Sequence, residues 1–333
     1  MIGAHQPQAT RRGWIITSLR WIAAVVVLAI LLHFVPLHTL REAIARIPPA
    51  RFIIVLFIYM CAHLVGVAKW KMVVNAAGAQ LDFRTCVQCY GGGLFGTLFL
   101  PSIIGGDVVR LAVGLRKSPR PAAVLAGNVA DRFLDMLSQG ALVVIGLLLL
   151  PGAVPAEFQM LARHMLLIAA AVVIAVVAFV AIFSKRLLAG RSIRFRRRIA
   201  RLRHAIQSVA DQRGKLALGW LMGAAIQFCF IILNALLAIS CGLLIPLRIW
   251  LFAWPLAKLS ALLPLTQGGM GIREAVLVGL MRPFGASGTL VLAAGLVWEG
   301  IVIAGGLISG AVAYLLRDDS KSEQSASGAH TSS

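Results

Sequence analysis

The sequence predicts an all-α polytopic membrane protein with about six full transmembrane helices and two re-entrant or broken segments, arranged as an inverted repeat. Three observations predict this fold. Of the 333 residues, 59% are hydrophobic and 13% are charged, which is too apolar for a soluble domain. Basic residues are concentrated in short connections between apolar runs. One ten-residue motif occurs twice, each time inside an interrupted apolar segment.

Six apolar runs are predicted to cross the membrane as helices, which need roughly 20 residues for about 30 Å of hydrocarbon, with some tolerance for shorter spans. They cover residues 14–35, 52–67, 122–150, 165–183, 216–244 and 290–316. Lys69 and Lys71 follow the second run, so we interpret them as marking its end. The membrane domain is therefore predicted to span 14–316, between a cytoplasmic N-terminus at 1–13 and a disordered polar tail at 317–333.

The formal net charge of +20 is explained by membrane topology. Eleven Lys and Arg residues lie between 185 and 215, within a predicted basic loop at 184–215. No nucleic-acid motif accompanies them, so we expect no nucleic-acid partner. Basic loops stay in the cytoplasm, which places this loop and both termini on the cytoplasmic side of the inner membrane. The loop would also lie against anionic headgroups.

No metal or cofactor is expected. Cys86 and Cys89 form an isolated CxxC without a second pair or a nearby histidine, and the total of five cysteines is odd. His33, His38 and His63 are far from one another in the sequence and lack metal-ligand spacing. We therefore interpret these side chains as structural.

Two further apolar segments, 86–109 and 249–265, are interrupted by Gly and Pro. The connections on both sides of the first segment are basic, so we expect it to enter and leave the membrane on the cytoplasmic side. Counting the crossings onward puts the start of the second segment on the outer side. Insertion of two similar segments from opposite faces is typical of an inverted repeat.

Each interrupted segment contains the motif Pro-x-x-x-Gly-Gly-x-x-x-Arg, and the two copies lie 163 residues apart. The defining residues are Pro101, Gly105, Gly106 and Arg110 in the first copy and Pro264, Gly268, Gly269 and Arg273 in the second. A half-helix that begins after Gly106 or Gly269 would direct amide donors at an anion, and the arginine would add a fork suited to phosphate. Alternatively, the glycines only allow tight helix packing and the arginines mark membrane interfaces.

Polar residues follow the first motif in the run GNVADRFLDM. Asn128, Asp131 and Asp135 share one helix face, and Arg132 lies beside them. Charged groups at membrane depth normally pair or line a functional cavity. Asp131 or Asp135 would therefore neutralise Arg132 or Arg110, either within a cavity or as a plain structural ion pair.

Isolated charges also lie near the second motif. Lys258 precedes it, Glu274 follows its arginine directly, and Glu299 lies within the last apolar run. Lys258 would pair with Glu299 or with Glu274, and Glu299 would alternatively pair with Arg273. The sequence leaves these pairings open.

Three runs, GGGLFGTLFLPSIIGGDVVR, AGNVADRFLDM and LPLTQGGMGIREA, resemble the flippase-like membrane domain of lysylphosphatidylglycerol synthetases. The resemblance covers most of 52–316 and implies a multi-helix bundle with re-entrant segments that moves or binds lipid across the cytoplasmic membrane. Full-length synthetases add a soluble aminoacyl-transfer domain, whereas this chain ends in a short polar tail after Arg317. We therefore expect that this chain does not aminoacylate lipid by itself.

The expected function is translocation of an anionic or isoprenoid-derived lipid, with membrane lipids as the partners. The expected headgroup-binding residues are the eight motif positions together with Asp107, Asn128, Asp131, Arg132, Glu274 and Glu299. One alternative is a membrane-embedded lipid transferase that uses Asp107, Asp131 and Asp135. Another is a non-transporting partner subunit for proteins of envelope-lipid biosynthesis.

Overall fold

The computed structural model describes residues 37–100, 102–150, 193–260 and 271–329, together with the single helical residues Met160, Arg163 and Leu167. All regular secondary structure in these residues is helical. The predicted span 14–35 lies outside the described residues, and so does 165–183 apart from Leu167. The all-helical prediction is therefore confirmed for the part of the chain that is described.

Ten α-helices are described. They are α1 (Leu37–Ala45), α2 (Pro49–Ala76), α3 (Phe83–Phe99), α4 (Ser102–Lys117), α5 (Pro121–Leu148), α6 (Ile193–Ala210), α7 (Arg213–Ser240), α8 (Leu247–Ser260), α9 (Ile272–Met281) and α10 (Gly288–Ala329). A 3-10 turn, Arg282–Phe284, follows α9.

Local sequence explains where several helices begin and end. Proline occupies the first turn of α2 and of α5, where its missing N–H has no helical partner to lose. The Asp82 carboxylate caps α3 by accepting a hydrogen bond from the Thr85 amide at 3.2 Å. Gly78 and Gly242 follow α2 and α7 with φ of 92° and 91°, in the left-handed region that glycine adopts without strain.

Three of the described helices are long and apolar enough to cross a membrane: α2, α7 and the Gly288–Leu316 part of α10. They contain or largely overlap three of the predicted spans, 52–67, 216–244 and 290–316. Helix α5 has 28 residues, and three charged residues lie close together near the middle of the helix. Every 18-residue stretch of α5 therefore contains all three. Its role as a span remains a prediction.

The predicted helix ends need two corrections. Helix α2 continues beyond Lys69 to Ala76, so Lys69 does not mark the end of a span. Helix α10 continues through Ala329, so the tail predicted as disordered from 317 is helical for most of its length.

The first interrupted segment is a tight hairpin formed by α3 and α4. Gly93 and Gly106 face each other: a Cβ on Gly106 would lie 2.5 Å from the carbonyl oxygen of Gly93. Because α4 begins at Ser102, Gly105 and Gly106 lie inside the helix. The prediction of a half-helix that begins after Gly106 is therefore wrong. These glycines instead allow two backbones to approach closely.

The second interrupted segment also contains a pair of packed helices, α8 and α9. Helix α9 begins after Gly271, which has a φ of 81°. Residues 261–270 lie outside the described part of the chain, so Pro264, Gly268 and Gly269 are not placed. Pro101 is not placed either. The membrane face from which each segment inserts remains a prediction.

Two groups of buried apolar side chains form the core. The larger includes Phe230, Trp254 and Trp298 from α7, α8 and α10, and the smaller includes Trp70 and Cys89 from α2 and α3. Helix α2 contributes to both groups. It therefore connects the region of the first motif with the region of the second.

Candidate functional site

A cluster of six charged side chains surrounds the first motif. We call it the first charge cluster: Lys69 from α2, Asp107 and Arg110 from α4, and Asp131, Arg132 and Asp135 from α5. Three cations balance three carboxylates. The cluster as a whole therefore carries no net formal charge.

Lys69 lies at the centre of this cluster and is 3% exposed. Its Nζ is 2.9 Å from Oδ1 of Asp131, which is 1% exposed, and it also donates a hydrogen bond to Asp135. One ammonium thus pairs with two carboxylates on successive turns of α5. A lysine at this depth is tolerated because both of its partners are close.

The two arginines complete the cluster with unequal contacts. Arg132 Nη2 lies 2.6 Å from Oδ1 of Asp107, and its Nη1 lies 3.5 Å from Asp135. Arg110 is paired more loosely: its Nη1 lies 3.5 Å from Oδ2 of Asp131 and its Nη2 lies 3.9 Å from Asp107. Hydrogen bonds between charged groups are typically shorter, near 2.7–2.9 Å.

Arg110 is 4% exposed, yet much of its hydrogen-bonding capacity is unused. Its Nε and Nη1 make no hydrogen bond within the described part of the chain. The guanidinium carbon lies 4.0 Å from the centre of the Tyr90 ring and 5.8 Å from that of Trp70, whose indole nitrogen donates to Asn128 at 3.0 Å. Aromatic faces therefore hold the cation while its donor edge lacks acceptors.

The second motif has a smaller, more tightly bonded group, which we call the second charge cluster: Arg273, Glu274 and Glu299. Arg273 donates from Nε to Glu274 at 2.9 Å, bonds the same carboxylate through Nη2, and donates from Nη2 to Glu299 at 2.8 Å. Glu274 also accepts from the Gly271 amide at 2.7 Å. Both carboxylates therefore hold Arg273 in place.

Lys258, the charge that precedes the second motif in the sequence, pairs with an amide. Its Nζ donates to Gln227 Oε1 at 2.9 Å and lies 5.4 Å from the centre of the Phe230 ring. Of the open pairings, Arg273 with Glu299 is observed, while neither glutamate pairs with Lys258 among the described ion pairs. Gln227 thus joins α7 to α8.

A row of ring side chains runs between the two clusters. We call it the aromatic bridge: Tyr90, His63, Tyr59, Trp298 and Trp254. Its first part starts at Arg110, which lies over Tyr90. The Tyr90 hydroxyl is 3.3 Å from His63 Nδ1, and the rings of His63 and Tyr59 are 4.4 Å apart in an edge-to-face arrangement.

The second part of the bridge reaches the other arginine. Tyr59 and Trp298 have ring centres 5.5 Å apart, and Trp298 and Trp254 have the same separation. The Arg273 guanidinium lies 5.4 Å from the centre of the Trp254 ring. The two arginines of the repeated motif are therefore connected by continuous ring contacts, although no described hydrogen bond or ion pair joins the clusters directly.

The structure brings together most of the residues that the sequence singled out. Asn128, Asp131 and Asp135 all contact α2, which confirms that they share a face. Lys69 was missed because a lysine after an apolar run resembles a membrane boundary. His63 was dismissed as isolated; its four-residue spacing from Tyr59 on α2 was the signal that the two share a face.

The family model described as the lysylphosphatidylglycerol synthase TM region matches residues 18–310, which include both motifs, both charge clusters and the aromatic bridge. No curated protein matches the chain.

Proposed function

Because the chain belongs to the family of lysylphosphatidylglycerol synthase TM regions, and so has a membrane lipid-related role, we propose that it binds an anionic phospholipid headgroup at Arg110 and moves the lipid across the inner membrane. The observation that carries the proposal is the unused donor edge of Arg110 in a buried setting. A planar guanidinium binds a phosphate through two parallel hydrogen bonds. Burying such donors without acceptors is unfavourable, so a bound phosphate would relieve the deficit.

The other charges of the first cluster make this exchange feasible. If a phosphate replaced Asp131 at Arg110, Asp131 would still be neutralised by Lys69 at 2.9 Å. Asp107 would likewise keep its 2.6 Å contact with Arg132. No carboxylate would therefore be left buried and unpaired. An uncompensated buried charge is the usual reason why breaking an ion pair inside a protein is unfavourable.

The second cluster would act as a second station for the headgroup. In this conformation Nε and Nη2 of Arg273 already donate to two carboxylates, so a phosphate that bound Nη2 would have to displace one of them. Glu299 is the one to be displaced, because Glu274 is also fixed to the Gly271 amide. The two motif arginines are thus chemically alike, but Arg110 has unused hydrogen-bond donors, whereas Nε and Nη2 of Arg273 already donate to carboxylates.

The proposed topology follows the same repeat. The α3–α4 hairpin would insert from the cytoplasmic side and the α8–α9 pair from the outer side, with both termini in the cytoplasm. Each interrupted segment contains two packed helices, which supports this arrangement. An inverted pair of this kind would present one arginine toward each leaflet.

The proposal is tested by reconstitution into liposomes that contain fluorescent phosphatidylglycerol, with transbilayer movement followed by chemical quenching of the outer leaflet. Arg110→Lys keeps the charge but removes the planar fork. We expect the rate to fall at least about tenfold, the effect of losing one good charge-assisted hydrogen bond. Arg116→Lys is the matched control because Arg116 is exposed on the same helix, and its rate should match the wild type.

Two results would count against the proposal. Equal rates for Arg110→Lys and Arg116→Lys would remove Arg110 from the headgroup site. A wild-type protein that is folded but moves none of several labelled lipids would reject translocation, and would favour the non-transporting partner subunit.

A further inference from the structure

Four buried polar atoms that lack a hydrogen-bond partner lie along the route between the two motif arginines. Nε and Nη1 of Arg110, Nε2 of His63 and Nε1 of Trp254 are all buried and lack a hydrogen-bond partner within the described residues. Trp254 is 2% exposed and Arg110 is 4% exposed. Buried polar groups in folded proteins are normally hydrogen-bonded, so four such atoms along one route need an explanation.

These atoms share one chemical property, since each can donate a hydrogen bond. The guanidinium and the indole are donors only. When the Tyr90 hydroxyl donates to Nδ1 of His63, the hydrogen of the neutral imidazole lies on Nε2. The nearby carboxylates already have cationic partners: Asp131 pairs with Lys69, and Glu299 pairs with Arg273.

We propose that the aromatic bridge is the route of the headgroup between the two clusters, with Nε2 of His63 and Nε1 of Trp254 as donors to phosphate or glycerol oxygens. This inference rests on the proposed function and adds two binding residues that lie outside both motifs. The ligand chemistry is a phosphate ester with further oxygen acceptors. Rings flank both donors, so an oxygen acceptor on the ligand would gain a direct hydrogen-bond partner between them.

In the structure the rings of the aromatic bridge are packed together, and we call this arrangement closed. Tyr59, Trp254 and Trp298 are buried within the larger apolar group, and Phe230 packs against the rings of Tyr59, His63 and Trp298. Closure leaves the donors without acceptors, and a headgroup that parts the rings supplies them. The bridge therefore favours opening when an anionic headgroup is present.

Transport by conservative variants tests the contacts. Trp254→Phe removes the indole donor and keeps an aromatic ring. Trp250→Phe is the matched control, because Trp250 is buried on the same helix, lies outside the bridge, and its indole nitrogen is not among the unpartnered buried atoms. His63→Phe removes the second donor, while His63→Gln keeps one. We expect at least a fivefold lower transbilayer rate of labelled phosphatidylglycerol for Trp254→Phe and His63→Phe, a rate within twofold of wild type for Trp250→Phe, and partial recovery for His63→Gln.

A spectroscopic readout separates contact from packing. The full chain with ¹⁵N-labelled tryptophan indoles is placed in lipid nanodiscs of zwitterionic lipid, and dihexanoyl phosphatidylglycerol or inorganic phosphate is added. We expect the Trp254 indole resonance to shift downfield with the short-chain lipid, as its N–H gains an acceptor, and the resonance of Trp250, which lies outside the bridge, to stay. A shift with phosphate alone would identify the phosphate group, rather than glycerol, as the acceptor.

The outcomes distinguish this inference from the function on which it rests. Wild-type transport with unchanged Trp254→Phe and His63→Phe rates would overturn the bridge route and leave the proposed function standing. Absence of wild-type transport would reject the function. In that case an unshifted Trp254 resonance would reject the contact as well, whereas a shift would retain it as a headgroup-binding site.

Discussion

Lys69 provides the sharpest test of the first charge cluster. Substitution by Met keeps the length and the apolar stem of the side chain and removes only the ammonium. The change leaves two cations facing three carboxylates in a site where Asp131 is 1% exposed. We expect a large loss of stability that is electrostatic in origin.

The size of the effect follows from the contacts. Removing one partner of a buried ion pair typically costs about 3–5 kcal/mol, because the other charge is left uncompensated. Asp131 keeps a cation at 3.5 Å in Arg110, and Asp135 keeps one at 3.5 Å in Arg132, so the expected loss lies at the lower end, about 3 kcal/mol. Adding Asp131→Asn restores neutrality, and the double variant should recover about 2 kcal/mol of that loss.

The measurement is the free energy of unfolding in mixed micelles, followed by tryptophan fluorescence. Lys71→Met is the control: Lys71 is two residues away on the same helix and lies 5.7 Å from the centre of the Phe83 ring, so its loss should cost about 1 kcal/mol or less. A Lys69→Met protein as stable as Lys71→Met would refute the electrostatic reasoning. Equal stability of the single and double variants would do the same.

Two other substitutions test the contacts of the side chains that surround Arg110 and Arg273. Gly66→Ala should lower the lipid transport rate and cost about 1–2 kcal/mol of unfolding free energy, because the new Cβ would clash with the hydroxyl of Tyr90 and lie 2.9 Å from its Cζ. Glu299→Gln should strengthen binding of short-chain phosphatidylglycerol by about fivefold, measured by calorimetry, since one of the two charges that hold Arg273 becomes neutral.

Each of these substitutions has a matched control. Gly279→Ala adds the same methyl group where nothing lies within 4 Å, and it should stabilise the helix by about 0.5–1 kcal/mol. Glu42→Gln removes a carboxylate from an exposed position of α1 and should leave lipid affinity unchanged. Equal effects of Gly66→Ala and Gly279→Ala, or of Glu299→Gln and Glu42→Gln, would contradict the assigned contacts.

Helical class and the charged face of α5 could be predicted from the sequence because both depend on local periodicity. Asn128, Asp131 and Asp135 share a face at any orientation of the helix, so their spacing was sufficient. Their main partner was not predictable in the same way. Lys69 follows an apolar run, and the rule that places cations at membrane boundaries assigns such a lysine to the surface unless a carboxylate from another helix is known to reach it.

For the glycine pair, the local sequence pattern suggested a structural role that the fold does not bear out. The pattern of Gly105 and Gly106 after Pro101 suggested a helix start, because glycine permits both an unusual backbone angle and a close approach. Only the position of Gly93 on the neighbouring helix shows that close approach is the reason. The aromatic bridge was still harder to predict, since its rings come from four helices and have no common spacing.

The neutrality of the first charge cluster has a consequence for energetics across an energised membrane. A group of three cations and three carboxylates carries no net charge through the electric field, whatever distance its helices move. The membrane voltage does work of about 2.3 kcal/mol per elementary charge for each 100 mV crossed. With the first charge cluster contributing nothing, the voltage at this site would act only on the charge of the bound lipid. A phosphodiester headgroup would then feel the full potential, and a zwitterionic one would feel none.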